Sequence, residues 1–192
     1  MKKIICIPAL LLISFVSFSQ VGFGIKGGLN ISKPKGIVEP KTARFAGYGG
    51  ARLYVPLGNS KFSFDPELLF SAKGFTDDWI DNERKVFSYN YLTLPILFSY
   101  RFDCKTRLMA GGEVAYLLSE NDDYLHTHTK NFDFGLAIGV DHEVAKRLHA
   151  EIRYVYGITK INSSSYDGTT YHNGNNRVFQ IGMVYDLKNK QK

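Results

Sequence analysis

With 192 residues, 44% of them hydrophobic, and a formal net charge of +6, the chain is long enough for one domain with a substantial interior. The positive charge is modest and spread without a basic run except at 188–192, which argues against nucleic acid as a partner. Tyr 12, Phe 14 and Gly 18 beside a single Trp, with no long Ala/Leu/Glu/Lys tract, tilt the composition toward β structure.

The chain opens with Lys2 and Lys3, an apolar run over 4–18 and the small-residue exit Ser17-Phe18-Ser19. That is the layout of a cleavable signal peptide over 1–19, since the run is shorter than the ~20 residues a membrane-spanning helix needs. Cleavage after Ser19 would remove Cys6 and leave Cys104 as the sole thiol, so no intramolecular disulfide is expected. Cys6 also precedes most of the apolar run, the wrong place for a lipid anchor. The expected organisation is a signal peptide at 1–19, one barrel domain at 20–187 and a basic tail at 188–192.

The mature chain begins with VGFGIKGGLN, in which Gly22, Gly24 and Gly27 match G-x-G-x-x-G. A dinucleotide site requires a preceding strand and a helix opening within the motif. Here a signal sequence precedes it, and Pro34 and Gly36 follow where that helix would run, so the glycines are read as strand positions.

From Val21 onward, alternation of period 2 marks eight segments, about 21–31, 43–57, 61–75, 87–102, 106–118, 131–144, 148–160 and 176–187. Each reaches or exceeds the ~9–11 residues with which a tilted strand crosses a membrane. The gaps alternate between long polar stretches (32–42, 76–86, 119–130 and 161–175) and short turns at Gly58-Asn59-Ser60, Asp103-Cys104-Lys105 and Ala145-Lys146-Arg147. Four long loops and three tight turns fit an up-and-down barrel with extracellular loops, periplasmic turns and both termini in the periplasm.

The faces are strongly sorted. In the third segment Phe62, Phe64, Pro66, Leu68, Phe70 and Ala72 oppose Ser63, Asp65, Glu67, Leu69, Ser71 and Lys73. In the sixth, Phe132, Phe134, Leu136, Ile138 and Val140 oppose Asp133, Gly135, Ala137, Gly139 and Asp141. A soluble barrel would turn the apolar face inward, and a membrane barrel turns it to lipid. Gly111, Ala115, Gly135, Ala137 and Gly139 share the charged face, where small residues would make room for long charged side chains in a narrow lumen. Phe62, Tyr100, Phe102, Phe132, Tyr154 and Tyr185 are candidates for interfacial aromatic girdles. The reading is therefore all-β, an eight-stranded antiparallel up-and-down transmembrane β-barrel of the cell outer membrane, with Phe64, Leu136 and Ile152 on the lipid side.

The segments "GIKGGLN" at 24–30, "YLTLPILFSYRF" at 91–102, "DFGLAIGVDHEV" at 133–144, "AEIRYVYGIT" at 150–159 and "NRVFQIGMVY" at 176–185 together resemble the small outer-membrane β-barrel proteins of Bacteroidetes, the PorT-like or outer membrane protein beta-barrel domain family. The resemblance covers nearly the whole mature chain and implies an eight-stranded outer-membrane barrel. Most such proteins lack an assigned activity, and the namesake's association with secretion and gliding machinery is not carried over. The sequence departs from the family pattern at Thr93, where an acidic residue is usual, and in ending on Lys188 to Lys192 where a terminal aromatic is usual.

An inward charged face collects Lys26, Arg52, Glu67, Arg101, Arg107, Glu113, Asp141, Glu151 and Arg153, which should form an ion-pair network plugging the lumen. Lys73, Asp65 and Asp133 fall on the same face. The loop at 120–130 holds Asp122, Asp123, His126 and His128, but a His-x-His pair without a fixed third ligand is no metal site. Ser163, Asp167 and His172 share the fourth loop without a nucleophile-elbow motif. No catalysis, cofactor or metal is expected. The expected role is structural or surface interaction through the loops, by a monomer whose partners are outer-membrane lipid, the barrel-insertion machinery and surface or periplasmic proteins. The alternatives are a membrane-embedded lipid-modifying enzyme and a soluble periplasmic ligand-binding barrel.

Overall fold

The computed structural model describes residues 21–35, 42–77, 85–121, 128–166 and 169–187, so the expected signal peptide at 1–19 and the tail at 188–192 lie outside the described residues. The strands are β1 (Gly22–Ser32), β2 (Thr42–Pro56), β3 (Phe62–Asp77), β4 (Lys85–Arg101), β5 (Thr106–Asn121), β6 (His128–Thr129), β7 (Phe132–Ala145), β8 (Leu148–Tyr166) and β9 (Thr169–Asp186).

All pairings are antiparallel, and β1 hydrogen-bonds to β2 on one side and β9 on the other, which closes the sheet into a ring. The two-residue β6 pairs with β8 through His128↔Ser163 and Thr129↔Asn162, above the stretch of β8 that β7 occupies. The barrel itself is thus eight-stranded. Closure leaves no sheet edge, the condition for a sheet to stand in hydrocarbon.

Three tight turns join strands at one end. Gly58 takes the left-handed conformation at φ 60° in the first, and Arg147 does so at φ 69° in the last. In the middle turn the Asp103 carboxylate accepts hydrogen bonds from the backbone N–H of Lys105 (2.7 Å) and Thr106 (2.6 Å), a side-chain mimic of a backbone turn. Along β3 and β4 the register passes from Pro66↔Ile96 to Leu69↔Thr93 without pairs between, where Pro66 and Pro95 lack an N–H to give.

Exposure settles which face meets what. Leu136 is 57% and Ile138 64% exposed, whereas Arg153 is 1% and Glu113 4% exposed. Greasy outside and charged inside is the sign of a membrane barrel, and it counts against the soluble alternative. Gly22, Gly24 and Gly27 all lie in β1, and no helix opens beside them among the described residues, so the glycine motif is wall.

The structure corrects the reading at the long-loop end. The stretch 161–175, taken as loop, is mostly strand: β8 runs to Tyr166 and β9 begins at Thr169. Similarly β5 continues to Asn121, and β6 falls within the expected loop 119–130. These stretches are polar on both faces, so hydrophobic alternation vanishes while the backbone ladder continues. Tyr154, a girdle candidate, pairs with Ile138 and Phe179, one outward row below Tyr156 and Arg177.

Candidate functional site

The lumen is filled in tiers. Nearest the tight turns, Arg52 Nη1 donates to Asp141 Oδ2 at 2.8 Å and Arg52 Nη2 to Asp186 Oδ1 at 2.9 Å. Asp141 also receives Arg107 through Nε at 3.1 Å and Nη2 at 2.8 Å, a two-pronged pairing suited to guanidinium and carboxylate. His149 places Nδ1 2.8 Å from Asp141 Oδ1 and Nε2 3.2 Å from Asp186 Oδ2, an arrangement satisfied by a ring carrying both protons. Asp65, reached by Ser99 Oγ at 2.7 Å, completes this tier.

Above it, Arg153 grips Glu67 with both terminal nitrogens, each at 2.8 Å, and lies 2.9 Å from Glu151 Oε1. Lys26 Nζ donates to Glu151 at 2.7 Å and to Glu67 at 3.2 Å. These four side chains come from β1, β3 and β8, so the cluster crosses the ring and ties its walls together. Tyr48 is the register partner of Gly28, which in turn pairs with Gly182, and a Cβ at Gly182 would overlap the Tyr48 hydroxyl. The missing side chain at Gly182 is what makes room for the end of the ring.

Toward the long loops, Lys73 Nζ donates to Glu113 at 2.7 Å and lies 5.2 Å from the centre of the Tyr91 ring. Asn176 donates to Asp133 at 2.7 Å, while Gln180, Asn30 and Ser71 form a chain of amide and hydroxyl bonds. Buried beside these is an aromatic cluster of Phe75, Phe87, Tyr89 and Tyr91 with Ala115, its Phe75 and Phe87 rings stacked at 4.6 Å.

Eight of the nine lumen residues named from sequence are buried: Lys26, Arg52, Glu67, Arg107, Glu113, Asp141, Glu151 and Arg153. Arg101 is not drawn into the ion pairs. It stands exposed at the tight-turn mouth, where its Nη2 donates to the Tyr54 hydroxyl at 2.8 Å. The sequence reading missed Asp186 as a partner and the aromatic cluster entirely. For Asp186 the signal was parity along β9 with Gln180 and Val184. For the aromatics there was none, because β4 is apolar on both faces, with Val86, Leu92, Leu94 and Ile96 on one and Phe87, Tyr89, Tyr91 and Leu97 on the other. Thr93, where the resemblance leads one to expect an acid, is buried with its hydroxyl 3.4 Å from the Leu69 carbonyl. Asp122, Asp123, His126 and Asp167 lie outside the described residues.

Comparison with known families decides the kind of barrel, because the sequence model of the outer membrane protein beta-barrel domain matches residues 17–163. The chain belongs to that family. It is an outer-membrane β-barrel protein. Among solved structures it is similar to the outer membrane protein OprG of Pseudomonas aeruginosa, at 12% identity and TM-score 0.53 over 86% of this chain and 95% of that one. It is also similar to Neisserial surface protein A (11%, TM-score 0.48, 88% and 97%) and to Ail, the attachment invasion locus protein of Yersinia pestis (11%, TM-score 0.46, 87% and 97%). At 12% identity the likeness to OprG speaks for the fold alone. No curated protein matches the sequence.

Proposed function

We propose that the protein is a sealed barrel whose work is done at its long-loop surface, in a structural or surface-interaction role, without catalysis or cofactor. The observation that carries this is the filled lumen: each buried Lys and Arg among the described residues has a carboxylate within 3.2 Å, and aromatic rings close the space above. An interior occupied by its own ion pairs offers little room to a permeant or substrate. The lumen residues Lys26, Arg52, Glu67, Arg107, Glu113, Asp141, Glu151 and Arg153 then act as plug, with Arg101 at its mouth.

Interaction falls to the loop end, where β8 and β9, of 19 and 18 residues, outrun the ~9–11 needed to cross the membrane. Its Tyr, Ser, Thr and Asn residues suit contacts with surface molecules. Its partners are membrane lipid, the insertion machinery and surface or periplasmic proteins, and the protein acts as a monomer. The motifs quoted above favour PorT-like barrels of Bacteroidetes as its nearest kin, and an exported chain with a signal peptide at 1–19.

Planar-bilayer recording tests the sealed lumen: purified protein inserted into the bilayer gives no unitary current, and discrete conductance steps from the wild type would overturn the reading. On intact cells, in a separate experiment, added protease cuts within 161–175, and full protection there would remove the surface role.

A further inference from the structure

The outer wall reverses polarity at one place. On β1, β9 and β8 the outward residues of one row are Leu29, Ile181 and Ile152, and of the next Ile31, Phe179 and Tyr154. One step closer to the long loops the row becomes Lys33, Arg177 and Tyr156, with the Lys33 N–H bonded to the Arg177 carbonyl at 3.0 Å. Beyond it stand Lys35, Asn175 and Lys160, linked by the Lys35↔Asn175 bridge and the Lys160↔Asn175 pair.

Two features set this patch apart. Lys33 and Arg177 are direct cross-strand neighbours of like charge, a pairing that destabilises a sheet unless an anion answers it. In addition, Lys33, Lys35, Lys160 and Arg177 stand together on adjoining strands with no carboxylate partner among the described residues. Arg177 is held in place by the Tyr156 ring, 5.1 Å from its guanidinium carbon, and its Nε has no protein acceptor among the described residues. A guanidinium fork flanked by lysines on neighbouring strands matches the oxygens of a phosphate. The apolar rows directly beneath require the anion's other end to be greasy.

We propose that Lys33, Lys35, Lys160 and Arg177 bind the phosphate of an outer-leaflet glycolipid of the lipid A type, its acyl chains lying along Ile31, Phe179 and Tyr154. The site fixes how the barrel is seated in its leaflet, independently of any partner at the loops.

The test places the folded, signal-cleaved protein in phosphatidylcholine nanodiscs doped with diphosphoryl lipid A or with its dephosphorylated counterpart, and reads retained lipid by native mass spectrometry. Wild type retains the diphosphoryl lipid selectively, and Lys33→Gln with Arg177→Gln lowers that retention roughly 30-fold. Lys61→Gln with Lys105→Gln, at the tight-turn end, retains it as wild type does. If the first double variant does not fold, as read by heat-modifiable gel migration, Lys35→Gln with Lys160→Gln decides in its place. Undiminished retention in a folded variant, or equal retention of the dephosphorylated lipid, overturns the proposal. So does displacement of the lipid by millimolar inorganic phosphate, which would make the patch a site for a free anion.

Discussion

The two ends of the lumen solve one packing problem with opposite chemistry. Near the tight turns the space is filled by Arg52, Arg107, Asp141, His149 and Asp186, and just above by Lys26, Glu67, Glu151 and Arg153. Near the long loops the rings of Phe75, Phe87, Tyr89 and Tyr91 take much of the space beside a single ion pair, Lys73 with Glu113. Charged filling is specified by partners, so each member depends on the identity of another. Aromatic filling, as at the stacked Phe75 and Phe87, is specified chiefly by shape.

The largest effects should separate these modes. Arg153→Met removes one of the two cations shared by Glu67 and Glu151, leaving one buried negative charge in excess, and should destabilise the barrel by about 3–5 kcal/mol in denaturant unfolding from lipid vesicles. Adding Glu67→Gln should recover much of that loss, because the stranded charge goes with it. Phe87→Ala at the other end should also cost about 3–5 kcal/mol, yet no single change in a neighbour should rescue it, since the defect is a void. Rescue of Phe87→Ala by a polar substitution in Tyr89, or none for the Arg153 and Glu67 pair, would break the contrast.

The outer face supplies the next largest effect. Val140→Arg, in the apolar row of Ile152 and Ile181, puts a charge well inside the lipid-facing wall and should cost about 2–4 kcal/mol in the same measurement. A face in water would tolerate it within about 0.5 kcal/mol.

Wall thickness comes third. A Cβ at Gly111 would run into the Ile96 carbonyl oxygen, and both belong to paired backbone, so Gly111→Ala should cost about 1–3 kcal/mol and shift amide exchange along β4 and β5.

The smallest effect belongs to the Asp103 turn. The Lys105 and Thr106 N–H groups hold the Asp103 carboxyl below its usual range. A carboxyl depressed in the folded state contributes stability above its unfolded pKa and loses it as pH falls through the folded one. Asp103→Asn should therefore lower stability slightly at neutral pH, and the gap to wild type should close on acidification. A gap that widens in acid would reverse the assignment.

Much of this was legible in the sequence because lipid imposes a strict alternation. Phe64, Leu136 and Ile152 could be sent outward, and Glu113 and Arg153 inward, from parity and residue volume alone. The pairing of those charges was not legible. Which carboxylate Arg52 meets depends on the stagger of strands around the ring, and Asp141 and Asp186 stand 89 and 134 positions away in sequence. The aromatic cluster escaped because β4 is greasy on both sides, and the strand extensions at 161–166 and 169–175 escaped because a run of polar residues carries no hydrophobic alternation.

The last strand lies beside the first over nine residue pairs, from Gly24↔Asp186 to Ser32↔Val178, and the Leu187 N–H reaches the Phe23 carbonyl at 2.8 Å. The first and last strands of the barrel are therefore neighbours with their outer ends at one rim, and the seam between them is bonded like any other. A circular permutant joined there by a short linker and reopened at Gly58 or Cys104 would keep the same wall.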